Sequence, residues 1–153
     1  MSRFFFWQKW LLVLGSVIVA FGLALAVFNQ TPVFNVLFNR QINPTFWGEA
    51  EVTPQIRAFQ QWIYGVLGAT MAGWGVFIVF IVHEPFRRRE RWAWNCLAVG
   101  VGLWFVVDTA LSIAANVIFN AAFNSLLVVL IAPALLATRS HFVRTHFSAP
   151  GKP

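Results

Sequence analysis

Four apolar runs dominate the chain: Trp10–Phe28, Trp62–Val82, Trp92–Ala115 and Ala121–Thr138. A single formally charged residue, Asp108, lies inside any of them. Crossing the hydrocarbon core as a helix takes about 20 apolar residues, with a range of roughly 17–25. All four runs qualify. Inside lipid every backbone N–H and C=O must be satisfied by the protein itself, which leaves helices or closed barrels. The runs lack strand alternation, which argues against a barrel. The expected fold is therefore all-α, an integral membrane four-helix bundle. It forms a single domain, 1–153, with an outer loop at 29–61 and a tail at 139–153. Pro133, near the end of the fourth run, is expected to kink that helix or loosen its last turns.

Charge supplies the orientation. Arg3 and Lys9 precede the first run. Arg87, Arg88, Arg89 and Arg91 sit between the second and third, and Arg139, Arg144 and Lys152 follow the fourth. Four spans place all three segments on one face, so nine of the eleven basic residues share a side, leaving Arg40 and Arg57 opposite. Basic residues stay cytoplasmic. The expectation is a multi-pass protein of a prokaryotic inner (plasma) membrane, with both termini cytoplasmic and 29–61 outside. The net charge of +6 does not indicate nucleic acid, because the basic residues flank apolar runs instead of forming a stripe with base-reading or stacking side chains. Only 10% of residues are charged, against about a quarter in soluble domains. The arginines at 87–91 can also meet anionic lipid headgroups, although their topological role is enough to explain them.

The first run has a signal-peptide reading too: a basic start, an apolar core, and Ala24-Leu25-Ala26 resembling a cleavage site. Its apolar stretch exceeds the roughly 7–15 residues of a signal-peptide core, so an uncleaved first span is expected.

The long loop holds two Thr-Pro helix starts, at Thr31-Pro32 and Thr53-Pro54. Thr can cap, and Pro lacks the N–H that would go unpaired in a first turn. In the first, Phe34, Leu37, Phe38 and Ile42 fall on one helical face, and Pro44 ends the pattern. This predicts a short amphipathic helix at the interface. The second Thr-Pro is expected to begin an extension running into the second span. Glu49 and Glu51, between them, read as a solvated turn.

In the second span, Gly65, Ala69 and Gly73 are four apart, as are Gly68 and Ala72. Small residues at this spacing let helix backbones approach closely in lipid. The partner is either another span of the same chain or, in the sharper reading, a second copy or a larger membrane complex.

The polar row of the third and fourth runs is the candidate ligand-binding set: Asp108, Ser112, Asn116, Asn120 and Asn124. Asp108, Ser112 and Asn116 are four apart and so share a helical face. The turn is expected near 117–120, with Asn120 and Asn124 on the facing helix, and Thr70 or Tyr64 able to complete the cluster. A charged Asp at mid-membrane costs about 2.5–3.5 kcal/mol on insertion scales. Two readings stay open: interhelical glue, with bonds worth about 0.6–2 kcal/mol each, or a binding site.

Catalytic sets are missing. His83, His141 and His146 gather at one end, so haem ligation between spans is not expected. No nucleophile–base set assembles at one depth. Cys96 is a lone cysteine, and His83-Glu84-Pro85 is not a zinc motif. No cofactor, metal or catalytic residue is expected. The first functional reading is a non-enzymatic accessory, assembly or structural subunit. The alternative is a binder or carrier of a small or lipid-like molecule around Asp108. A membrane enzyme ranks third.

Overall fold

The computed structural model describes residues 3–48 and 51–143. Four long helices carry it: α1 (Arg3–Phe28), α3 (Pro54–His83), α4 (Arg91–Ala114) and α5 (Ile118–Thr138). A shorter rod, α2 (residues 32–47), lies between α1 and α3, and α6 (Ser140–Val143) follows α5. No strand occurs among the described residues. Each long helix is long and apolar enough to cross a membrane. Their outward faces agree, with Phe80 72% and Leu136 69% exposed. Apolar area on that scale, all around a bundle, needs lipid against it.

The helices pair off. α3 packs along α1, α5 packs along α4, and α1 joins the two pairs by contacting α5. The α1–α3 seam is a backbone-to-backbone contact. A Cβ added at Gly22 would stand 2.5 Å from the Ala72 nitrogen, and one at Gly68 2.5 Å from the Ala26 nitrogen. Gly75 is somewhat less tight, its added Cβ 2.9 Å from the Val19 nitrogen. In lipid no hydrophobic drive joins helices, so this close approach is what holds them. Of the two small-residue rows in the second span, the Gly68/Ala72 row is thus used internally. At Gly73, by contrast, an added Cβ would meet nothing within 4 Å, and at Gly65 its nearest neighbour is 3.9 Å away.

At the end of the bundle that carries Arg3 and α6, here the termini end, Phe4, Phe86 and Phe142 close the base, each no more than 2% exposed. The Gln8 amide donates to the Val82 carbonyl at 3.2 Å, so α1 begins seven residues before the apolar run does. The indoles of Trp10 and Trp94 donate to the carbonyls of Leu130 and Leu135, at 2.8 and 2.9 Å, on either side of Pro133. α5 continues five residues past that exposed proline.

At the loop end one expectation holds and three do not. α3 starts at Pro54, and the Thr53 hydroxyl accepts the Ile56 N–H at 3.4 Å, so the extension does run into the second span. The Thr31 side chain instead donates to the Phe28 carbonyl at 2.8 Å and caps nothing. α2 runs through Pro44 to Trp47 and ends at Gly48, whose φ is 73°. Pro44 and Arg40 are both exposed, so the carbonyl that proline leaves unpaired can be hydrated. Finally, Asn35–Asn39 is π-wound, with the Arg40 N–H reaching the Asn35 carbonyl. That wider turn keeps residues four apart aligned and turns those three apart away from each other. Phe34 and Phe38 therefore pack on Phe21, and Phe38 on Phe119 and Phe123, whereas Leu37, expected on the same face, is 53% exposed. Glu49 lies outside the described residues.

Candidate functional site

The polar row assembles around Asp108, but not with every expected member. The Asn120 amide donates to the Asp108 Oδ1 at 3.0 Å and to the Ser112 Oγ at 2.8 Å. The Ser112 hydroxyl donates to the Asp108 backbone carbonyl at 2.7 Å and lies 3.4 Å from Oδ1. α4 and α5 are antiparallel neighbours joined by a three-residue turn, which brings Asn120 in the first turn of α5 level with Asp108. Asn124, one turn deeper and buried, bonds Thr109 at 3.3 Å and not the acid.

Asn116 stands apart. α4 ends at Ala114, and Asn116 takes a left-handed φ of 60°. Its N–H bonds the Ile113 carbonyl at 3.0 Å, while the Val117 N–H reaches back to Ser112 at 2.8 Å. This is a Schellman closure, in which asparagine substitutes for the usual glycine. Asn116 therefore ends the helix; it does not extend the row. The Thr70 hydroxyl bonds the Val66 carbonyl of its own helix, and Tyr64 makes no hydrogen bond to the cluster. What remains is a self-satisfied knot of one carboxylate, one hydroxyl and one amide. Two cavities lie elsewhere. One is an apolar void of about 20 Å³ between all four long helices, lined by Leu11, Ile78, Leu97 and Ile131 among others.

The other cavity, of about 280 Å³, lies between α2 and the first turns of α3. Its polar lining is Gln30, Asn35, Asn39, Asn43, Gln60, Glu51 and Arg57, with Pro32 and Val52 as its apolar members. Asn39, Asn43 and Gln60 are buried, and the Gln60 amide donates to the Asn43 Oδ1 at 2.6 Å. The Asn39 Oδ1 is buried with no hydrogen-bond partner. Sequence reasoning missed this cluster. The signal was present: Asn35, Asn39 and Asn43 are four apart, on the side of α2 away from its phenylalanines.

The turn between α3 and α4 spends most of its arginines locally. Glu84 pairs with Arg88 and, at 3.3 Å, with Arg87. The Arg88 guanidinium, helped by Arg87, holds the Glu84 carboxyl below its ordinary range. Arg89, in a left-handed conformation, lays its guanidinium over the Phe4 ring at 5.0 Å. Arg91 has no such partner among the described residues. No three of His, Cys, Asp and Glu come together as a metal-binding group among the described residues.

No protein-family model, curated protein or solved structure matches the chain.

Proposed function

We propose that this chain is a non-enzymatic accessory or assembly subunit of a prokaryotic inner membrane, and that it packs against a further membrane helix through the lipid-facing side of α3. The observation that carries this is the Gly65–Ala69–Gly73 row. Its sister row is consumed against α1, yet around Gly73 there is open space, and Ala69 is exposed. A small-residue row facing lipid offers a second helix the close approach that α1 already exploits. Gly73→Leu is expected to leave the isolated protein as stable as the wild type, within about 0.5 kcal/mol. It should remove any larger species seen when native membranes are gently solubilised and separated by size. A larger species that survives the substitution, or the absence of one in the wild type, counts against this reading.

A second reading is a binder or carrier of a small or lipid-like molecule at Asp108. It is favoured by the acid being only half-buried within a span, since ionisable groups at that depth are functional by default. Anionic headgroups at the turn between α3 and α4 would rely mainly on Arg91, because Arg87, Arg88 and Arg89 have protein partners.

The proposed topology puts both termini in the cytoplasm. In a Cys96→Ser background, an impermeant thiol reagent added outside should label a cysteine placed at Glu51 and miss one placed at Arg88. The opposite pattern inverts the orientation.

A further inference from the structure

The cavity between α2 and the start of α3 carries an inference independent of how the spans associate. We propose that it binds a small zwitterion with a primary ammonium and an anionic oxygen group, the chemistry of phosphoethanolamine. Seven of its nine lining residues are polar, and buried amides need partners or they cost stability. The Gln60 amide donates to the Asn43 Oδ1, but the Asn39 Oδ1 has no donor. At the mouth, Glu51 and Arg57 stand 3.8 Å apart, both more than half exposed. So loose a pair can part to receive opposite charges. A carboxylate and an amide oxygen accept from an ammonium, which offers three donors and no acceptor. A guanidinium in turn suits a phosphate's oxygens. The π-wound turn that positions Asn35 and Asn39 is a departure from regular helix often found at functional sites.

Depth points to the same chemistry. Gln60 lies two residues, about 3 Å of helix rise, from the exposed Trp62. Tryptophan marks the headgroup level of a bilayer. The cavity's volume falls just short of the roughly 300–1,000 Å³ of ligand clefts, so it suits a headgroup and not a larger solute. The group can come from a lipid or from a soluble phosphoethanolamine compound.

The test is native mass spectrometry of the full chain, purified in detergent and exposed to equal amounts of short-chain phosphatidylethanolamine and phosphatidylcholine. The trimethylammonium of choline has no N–H to donate. At least tenfold preference for the ethanolamine lipid is expected. Glu51→Gln should shrink that preference severalfold, and Arg57→Gln should weaken retention of both lipids severalfold through the phosphate they share; both positions are exposed, so the thermal midpoint should stay unchanged. Soluble glycerophosphoethanolamine competes with the lipid if the group alone is recognised, and fails to compete if the acyl chains are needed. Either result supports the proposal and identifies the source. Equal retention of the two lipids by the wild type would overturn it, as would an undiminished preference in Glu51→Gln or undiminished retention of both lipids in Arg57→Gln.

Discussion

Gly68→Leu is expected to prevent the bundle from forming. A Cβ at that position would lie 2.5 Å from the Ala26 nitrogen and 2.5 Å from the Gly22 oxygen. Both are backbone atoms, so no side chain can swing aside to make room. The only relief is to part α1 from α3 along their whole seam, and the rest of a leucine side chain widens the gap further. Overpacking a core typically costs about 1–3 kcal/mol, occasionally more. Here the neighbours cannot yield, so the loss should be at least about 3 kcal/mol. Thermal unfolding and size-exclusion chromatography in detergent measure it: the variant should be aggregated or unfold well below the wild type. Gly73→Leu, on the same helix with nothing within 4 Å of its added Cβ, is the matched control. A Gly68→Leu protein as stable as that control would show that the seam does not hold the helices together.

The number and the approximate position of the long helices were legible in the sequence, because lipid imposes both a length and a composition. Their ends were less so. Hydropathy passes over Arg3–Lys9, yet α1 includes that stretch, since Gln8 finds the Val82 carbonyl and Phe4 finds Phe86 and Phe142. Such partners lie more than seventy residues away in the chain, and no local pattern announces them. The same holds for the glycines of α1. Gly15 and Gly22, seven apart, attract no notice until Gly75 and Gly68 are seen against them.

The polar features divide in the same manner. Four-residue spacing on both sides of a short turn was enough to bring Asn120 to Asp108. It misplaced Asn116 because periodicity cannot tell a helix residue from the left-handed residue that closes the helix. In α2 the apolar face drew attention to Phe34 and Phe38, and the asparagines beside them were given no role. Their meaning depends on Gln60, seventeen residues beyond Asn43, and on the π-wound turn that fixes their register.

Asp108→Leu is expected to lower stability by roughly 1–3 kcal/mol, the cost of taking one of its two acceptors from the partly buried Asn120 amide. Leucine deletes the acceptor that Asn120 uses at 3.0 Å and leaves that amide with Ser112 alone. Asp108→Asn keeps the shape and the accepting oxygen, so it should unfold with the wild-type midpoint. Asn120→Leu should cost about as much as Asp108→Leu. The double substitution should cost less than the sum, by about 0.6–1.7 kcal/mol if the bond behaves like others between membrane helices. Additive losses would show that the two side chains do not couple, and the knot would then not be what joins α4 to α5. The conservative variant separates the two functional readings. A structural bond is indifferent to the exchange of carboxylate for amide, so Asp108→Asn should then keep both fold and phenotype. A site that uses the acid's charge or proton should lose its ligand or phenotype in Asp108→Asn while the unfolding midpoint stays unchanged, because the exchange touches nothing that the packing of α4 on α5 requires.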